Sequence, residues 1–352
     1  MPISLGTLLY AHVADLFIGL AALMRAVVTG ASGLLGANVA AALHHRGVEV
    51  TCTRRASSKV HHLSHLPLTW AQASLGEPDA LARAFDQADV VFHCAATVEV
   101  RARATPTMER TNVVGTQHVI DAARRAGVGR LVHCSSASAV GLATGAADAD
   151  ENTPLNFHEA GLHDGYVDTK HRSEQLVGDA VRGGLDAVIV NPGFFFGPYD
   201  QRPSSGAMIL SVASGRTALY TEGTNAFVDV RDVADGMIAA WERGATGRRY
   251  LLAGHNLTYR QVFTAIAKVV GVRPPRWRAP TPLLRGIGAA GDLLERVTDR
   301  EALLNRTKVR WATCDRYRFS SARAEAELGW SYRPVEEAIE AAWAWFLTHG
   351  MA

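Results

Sequence analysis

Residues 26–36 read Ala26-Val27-Val28-Thr29-Gly30-Ala31-Ser32-Gly33-Leu34-Leu35-Gly36, an apolar, β-branched run that stops at a glycine-rich turn and opens into a helical pattern. Glycines at 30, 33 and 36 let the backbone turn tightly, approach a pyrophosphate and pack the new helix on the sheet, with the helix N-terminus facing the negative charge. The spacing differs from Gly-x-Gly-x-x-Gly, and a glycine triplet alone is a weak signal. Its context strengthens it. Leu34, Val39 and Leu43 share one face of a helix predicted over 33–46, and 48–53 reads as the next strand, completing a strand–helix–strand unit.

The same alternation continues outward from this unit. Strands are expected at 68–73, 90–93, 130–134 and 187–190, and helices at 79–86, 107–125 and 166–181. This rhythm predicts an α/β fold built on a Rossmann-type, doubly wound parallel sheet, with 24–193 as the NAD(P)-binding domain. After Asn191-Pro192-Gly193 the rhythm loosens, and 194–352 reads as a smaller, mostly helical C-terminal substrate domain. Within it, about 226–242 has strand-then-helix character and is expected to return to the Rossmann domain. Residues 1–23 form an N-terminal extension that need not belong to the native fold, with Met24 a candidate start. Its apolar run, 16–23, is too short to span a bilayer and lacks the basic region of a signal peptide, so a cytoplasmic location is expected.

Composition bounds the rest. The chain has 352 residues, 48% hydrophobic and 20% charged, with a formal charge of +2, which suits a globular protein and offers no electrostatic case for nucleic acid or membrane. Basic residues thicken from Arg273 to Arg318, without the aromatic interleaving of a stacking platform, and read as solvated helix faces. Cys52, Cys94, Cys134 and Cys314 form no Cys-x-x-Cys pair, so neither a zinc site nor a disulfide framework is indicated. The histidines at 44, 45, 61, 62 and 65 lack companion ligands at metal spacing and read as surface residues.

At the end of the second strand, where an acid would hold a ribose 2′-hydroxyl, stand Arg54 and Arg55. No Asp or Glu occurs from residue 50 through 76. A guanidinium offers a bidentate fork to a 2′-phosphate, so NADP is expected over NAD.

The chemistry is expected from two further segments. The strand 131–134 ends in Ser135-Ser136-Ala137-Ser138, at the edge where open α/β sheets bind ligands. Tyr166 and Lys170, four residues apart, share a helix face, so the ammonium can favour the ionised phenol. Tyr166 would protonate an alkoxide as hydride arrives, Lys170 would tune the phenol and hold the ribose hydroxyls, and a serine would hydrogen-bond the substrate oxygen.

In order along the chain, Thr29-Gly-x-x-Gly-x-x-Gly36, Asp89-Val-Val-Phe-His93-Cys-Ala95-Ala96, Asn112-Val-Val-Gly115-Thr116, Ser135-Ser136, Tyr166-x-x-x-Lys170, Asn191-Pro192-Gly193 and Phe227-Val-Asp-Val-Arg-Asp232-Val233 resemble the motifs of the extended short-chain dehydrogenase/reductase family, also called the NAD-dependent epimerase/dehydratase family. Thr53-Arg54-Arg55-Ala56-Ser57-Ser58 and the tail from Lys308 to Gly329 resemble its dihydroflavonol-reductase-like branch. That resemblance implies Ser136, Tyr166 and Lys170 as the catalytic set and Arg55 as the phosphate contact. It implies cofactor contacts from Gly30, Ser32, Gly33, Leu34, Leu35, Gly36, Arg54, Ala95, Ala96, Thr97 and Asn112, with Pro192 and Gly193 against the nicotinamide. Ser74 and Leu75 take the adenine-side positions, although the family's Gly-Asp-Leu is Ala73-Ser74-Leu75 here. The serine segment lacks the Asp-Glu pair of sugar 4,6-dehydratases, which argues against dehydration. Family members often pair through the helices bearing Asn112 and Tyr166, which implies a homodimer.

The leading expectation is therefore an NADP-dependent reductase for the carbonyl of a bulky, apolar small molecule, ketone/aldehyde reductase or hydroxysteroid-dehydrogenase-like. Phe194-Phe195-Phe196 supports it weakly, because at least two of those rings are expected to pack internally. One alternative is a sugar or nucleotide-sugar epimerase on retained NAD, with Arg202, Arg216 and Arg231 reaching the diphosphate. A second is a non-catalytic NADP(H)-sensing module, which would predict a broken catalytic set, whereas Ser136, Tyr166 and Lys170 are all present.

Overall fold

The computed structural model describes residues 24–298 and 300–352, so the expectation for residues 1–23 lies outside the described residues. Strands β1 (Arg25–Thr29), β2 (Glu49–Arg54), β3 (Thr69–Gln72), β4 (Val90–His93), β5 (Arg130–Cys134) and β6 (Ala187–Pro192) are the runs picked out by β-branched content. β4 and β6 are buried along their whole length, as parallel strands covered on both faces must be. The intervening helices are α1 (Leu34–His45), α2 (Pro78–Ala84), α3 (Gly115–Ala126) and α4 (Gly165–Arg182). A π-helical turn, Glu109–Val114, leads into α3, and Gly127 ends it at φ 64°.

The remaining chain contributes β7 (Phe194–Phe196), α5 (Ala207–Ala213), β8 (Leu219–Tyr220), β9 (Thr224–Asp229), α6 (Val230–Arg243), β10 (Arg249–Leu252), β11 (His255–Thr258), α7 (Tyr259–Val270), β12 (Trp277–Arg278), α8 (Thr281–Thr298), α9 (Arg306–Thr313), α10 (Ala322–Leu328) and α11 (Val335–Thr348). The main sheet is parallel, in the order β3-β2-β1-β4-β5-β6-β10. One face packs against α1, α6 and α10, through Leu35, Val39, Val233, Met237 and Leu328. The other packs against α2, α3 and α4, through Leu81, Val119, Ile120 and Val177.

Of the stretch 226–242, helix α6 lies on the main sheet against α1, whereas strand β9 does not join it. β9 pairs in parallel with β7 and antiparallel with β11, and the strand that extends the main sheet is β10, outside that stretch. Arg249-Tyr250-Leu251-Leu252 is too short to announce itself by periodicity, and only the exposed edge of β6 gives it a partner. Phe194, Phe195 and Phe196 all pack internally. Phe196 stacks on Phe227 at 5.8 Å, Phe194 meets both rings edge-on, and Phe195 lies against the main core. The triplet therefore lends no support to an apolar substrate. His62 is a further departure, being buried beside Tyr199 rather than on the surface.

Strand order reverses between β1 and β4, and the carboxyl ends of β1, β4, β5 and β6 open on the same edge. That edge is where an open α/β sheet binds its ligand.

Candidate active site

The turn after β1 is a cradle that side chains would close. A Cβ on Gly30 (φ +75°) would lie 2.6 Å from the Ala95 nitrogen, and one on Gly36 would lie 2.4 Å from the Gly30 carbonyl. Gly30 thus lets β1 and β4 converge, and Gly36 lets α1 sit on the turn. Helix α1 starts at Gly33 with no side-chain cap and no acid in its first turn, so the N–H groups around Ser32, Leu34 and Leu35 have no competing anion. These residues fit a dinucleotide pyrophosphate. A bound nicotinamide dinucleotide would supply a hydride at the carboxyl edge of the sheet.

Behind the cradle, Thr29 Oγ1 meets His93 Nδ1 at 2.8 Å, and His93 Nε2 meets Thr116 Oγ1 at 3.1 Å. Burial pushes the His93 imidazole down to about 3, so it is neutral and structural. Asn112 joins the loop after β4 to α4. Its amide is buried, accepts the Thr97 N–H at 2.8 Å, and donates to the Thr97 carbonyl at 2.9 Å and to Thr169 Oγ1 at 3.1 Å. It pins Thr97 and helix α4. Ala95, Ala96 and Thr97 remain at least partly accessible beside Gly30.

At the carboxyl end of β2, the Arg54 guanidinium lies over the Trp70 ring of the adjoining strand at 5.9 Å. Arg55 is exposed, and its N–H is held by Ser58 Oγ at 3.1 Å. Ser74 gives its N–H to Glu77, and Leu75 is half-buried with its carbonyl held by His118 at 2.7 Å. At the end of β6, a Cβ on Gly193 would sit 2.7 Å from the carbonyls of Ala226 and Ala253, so Pro192-Gly193 is wedged where the two sheets meet.

Helix α4 is aimed by residues that precede it. Asp164 Oδ1 accepts the Tyr166 N–H at 2.8 Å, and Oδ2 accepts the indole N–H of Trp311 at 2.7 Å. A Cβ on Gly165 would lie 2.0 Å from the Ala104 nitrogen, so the helix begins pressed against the 101–104 loop. Asp-Gly ahead of Tyr166 is an N-cap signal that the sequence reading passed over.

Lys170 is buried, and its Nζ donates to the Cys134 carbonyl at 2.6 Å, while burial lowers its pKa. The Tyr166 ring keeps some solvent access, but enclosure of its hydroxyl end, followed by Cys134, raises the phenol above the ordinary tyrosine range. A hydrogen bond with Ser136 opposes that rise without cancelling it. Burial is the largest influence on the phenol, and the Lys170 Nζ hydrogen-bonds the Cys134 carbonyl. Ser136 Oγ accepts from Ser138 N–H at 3.2 Å and from Ser138 Oγ at 2.8 Å, so its own proton is left to donate. Asn191 Nδ2 fixes the Ser136 carbonyl at 2.9 Å and also bonds Glu174.

A model of the NAD-dependent epimerase/dehydratase family matches residues 26–253, which span the cradle, the serine segment, the Tyr–Lys pair and the first wall of the second sheet. The chain belongs to that family. Within this extended short-chain dehydrogenase/reductase family, it is 36% identical to sterol demethylase protein B of Methylococcus capsulatus over 93% of its length and all of the relative's. It is 30% identical to a putative dihydroflavonol 4-reductase of Synechocystis, covering 92% of this chain and 94% of that one. The crystal structure of gox2253 superposes with a TM-score of 0.81 at 35% identity, covering 93% of this chain and 99% of the other. The protein is an NAD(P)-dependent oxidoreductase of the epimerase/dehydratase family. Among the described residues no group of histidine, cysteine and carboxylate side chains could hold a metal, and no helix is long and apolar enough to cross a membrane.

Proposed function

We propose that the protein is an NADP-dependent reductase for the ketone or aldehyde group of a bulky, apolar small molecule. One observation carries this reading: Tyr166 and Lys170 stand one turn apart on α4, and Lys170 ties that helix to the strand end that leads into Ser136, at the carboxyl edge of the sheet. A proton donor is what an alkoxide requires as it forms. The Ser136 hydroxyl, with its oxygen occupied by Ser138, donates to the same substrate oxygen. Lys170 is anchored to the strand end through the Cys134 carbonyl, one helical turn from Tyr166. Reduction then balances as one hydride to the carbonyl carbon and one proton from Tyr166 to its oxygen.

Arg55, exposed and free of neighbouring acids in sequence, supports NADP, with Arg54 stacked on Trp70 beside it. The two curated relatives carry the names of a sterol and a dihydroflavonol, both polycyclic, which supports a bulky substrate. The sugar-epimerase reading loses one of its three arginines, because Arg231 is held by the fully buried carboxylate of Asp229 at 2.5 Å.

The test is to denature freshly purified protein, analyse the released nucleotide, titrate the remainder with NADPH and NADH, and screen ketones and aldehydes. Little bound nucleotide, a preference for NADPH and turnover of a polycyclic ketone are expected. Tightly retained NAD that exchanges slowly would overturn the reductase in favour of an epimerase.

A further inference from the structure

Helix α8 turns a nearly uninterrupted apolar stripe to solvent. At 100° per residue, Leu283, Ile287, Leu293, Leu294 and Val297 fall within one arc of about 120°. All five are exposed, Leu293 by 62% and Val297 by 77%. The opposite side carries the buried Gly288 and Gly291, which press against 304–306 and hold the helix on the protein. Two further large side chains near the helix in sequence are also exposed: Trp277, ahead of it, by 72%, and Leu303, after it, by 96%. Isolated exposed leucines need no explanation, whereas five large apolar side chains along one helix face mark an interaction surface.

Charge is sorted around the stripe. Arg276 and Arg278 flank Trp277, Arg285 and Arg296 border the helix, and Arg300 follows it, all exposed. The acids of α8 turn inward: Asp292 bonds the Arg306 N–H and its guanidinium, and Glu295 accepts from Asn305 and Ala302. An apolar stripe with arginines at its border is the form of a helix that lies in a membrane interface, burying its apolar side while the guanidinium groups reach the headgroups. The chain's net charge of +2 hides this sorting, which exists only once the helix is folded onto the protein.

The stripe is joined to the catalytic edge. Directly after α8, Glu301 accepts the Val100 N–H at 3.1 Å, Asn305 donates to the Val100 carbonyl at 2.6 Å, and Thr307 donates to the His163 carbonyl at 3.2 Å. These bonds clamp the segment to the loop leaving Thr97 and to the turn before Tyr166.

We propose that the outer face of α8, with Trp277 and Leu303, docks on an anionic lipid bilayer and sets the mouth of the active site against it. Resting on the proposed reductase function, this assigns the substrate class as carbonyl compounds that reside in the membrane.

The experiment is sedimentation of the full chain with vesicles of equal parts phosphatidylcholine and phosphatidylglycerol, and with phosphatidylcholine alone. Binding to the mixed vesicles that weakens with salt is expected. The double variant Leu294→Glu/Val297→Glu should lose roughly tenfold or more in partition constant. Arg285→Gln/Arg296→Gln should lose roughly fivefold per arginine on mixed vesicles only. NADPH titration and thermal unfolding of the variants report the fold independently. Absence of vesicle binding overturns the proposal. So does binding that survives Leu294→Glu/Val297→Glu but disappears on removal of residues 1–23, or a dimer that the same variant dissociates. Since partitioning needs no turnover, failure of the reductase reading would leave this result standing, and the reverse also holds.

Discussion

Lys170 Nζ donates to the carbonyl of Cys134 across 2.6 Å, so the helix bearing Tyr166 is tied to the strand end that leads into Ser136. The lysine links two elements, and burial raises the pKa of the neighbouring phenol. A group that donates a proton works only while protonated. The rate of carbonyl reduction, as kcat/KM, should therefore be flat through neutral pH and fall only at the alkaline end. A pH–rate profile over the neutral and alkaline range checks this, and a descending limb near pH 7 that disappears in Tyr166→Phe would contradict it.

Tyr166→Phe removes the proton and little else, since the ring's packing and the Asp164 cap on its N–H are retained. Reduction should fall by about 10²–10⁴-fold. NADPH affinity, followed by fluorescence titration, should stay within a factor of two or so, because loss of a donor acting only on the transition state spares ground-state binding.

Arg55→Glu places a carboxylate where a 2′-phosphate would lie. NADPH binding should weaken by roughly 10- to 100-fold, the loss of a charge-assisted contact plus like-charge repulsion, while NADH binding holds or improves. Equal loss for both nucleotides would remove Arg55 from phosphate recognition.

Asp164 is a buried carboxylate whose pKa is raised to about 6, by burial first, against the opposing pull of the Trp311 and Tyr166 N–H groups. A folded-state pKa above the unfolded value means the native state binds the extra proton. Its stabilising contribution is full below about pH 4 and is lost as pH rises through about 6. The stability of the native protein relative to Asp164→Asn should therefore decline over that window by roughly 3 kcal/mol, the shift from 3.8 at about 1.4 kcal/mol per unit. Denaturant unfolding of both proteins at matched pH values measures it, and a constant difference would place the titration elsewhere.

Gly165→Ala forces a Cβ to within 2.0 Å of the Ala104 backbone, which is not a flexible side-chain end. The loop or the helix start must shift, at a cost of about 1–3 kcal/mol as for other overpacked sites. Because Tyr166 follows directly, kcat should drop further than a distant variant of equal stability loss would predict. Thermal unfolding and kcat measured together separate the two effects.

The sequence by itself determined the parallel core and the main parts of the site. Valine-rich runs of four to six residues have one comfortable home, a strand covered on both faces, and glycines at 30 and 36 are the residues that the β1–α1 turn accepts. The Tyr166–Lys170 spacing needed only helical periodicity to be seen. Tertiary structure alone decided what depends on neighbours distant in sequence. β10 becomes a strand because β6 offers an open edge, and Asn112 acts as a clamp because Thr97 and Thr169 converge on it. The protonation of Tyr166 depends on how much protein surrounds it, and the exposed stripe of α8 depends on which face its glycines bury. Burial and long-range pairing are properties of the assembled chain, and local spacing carries no record of them.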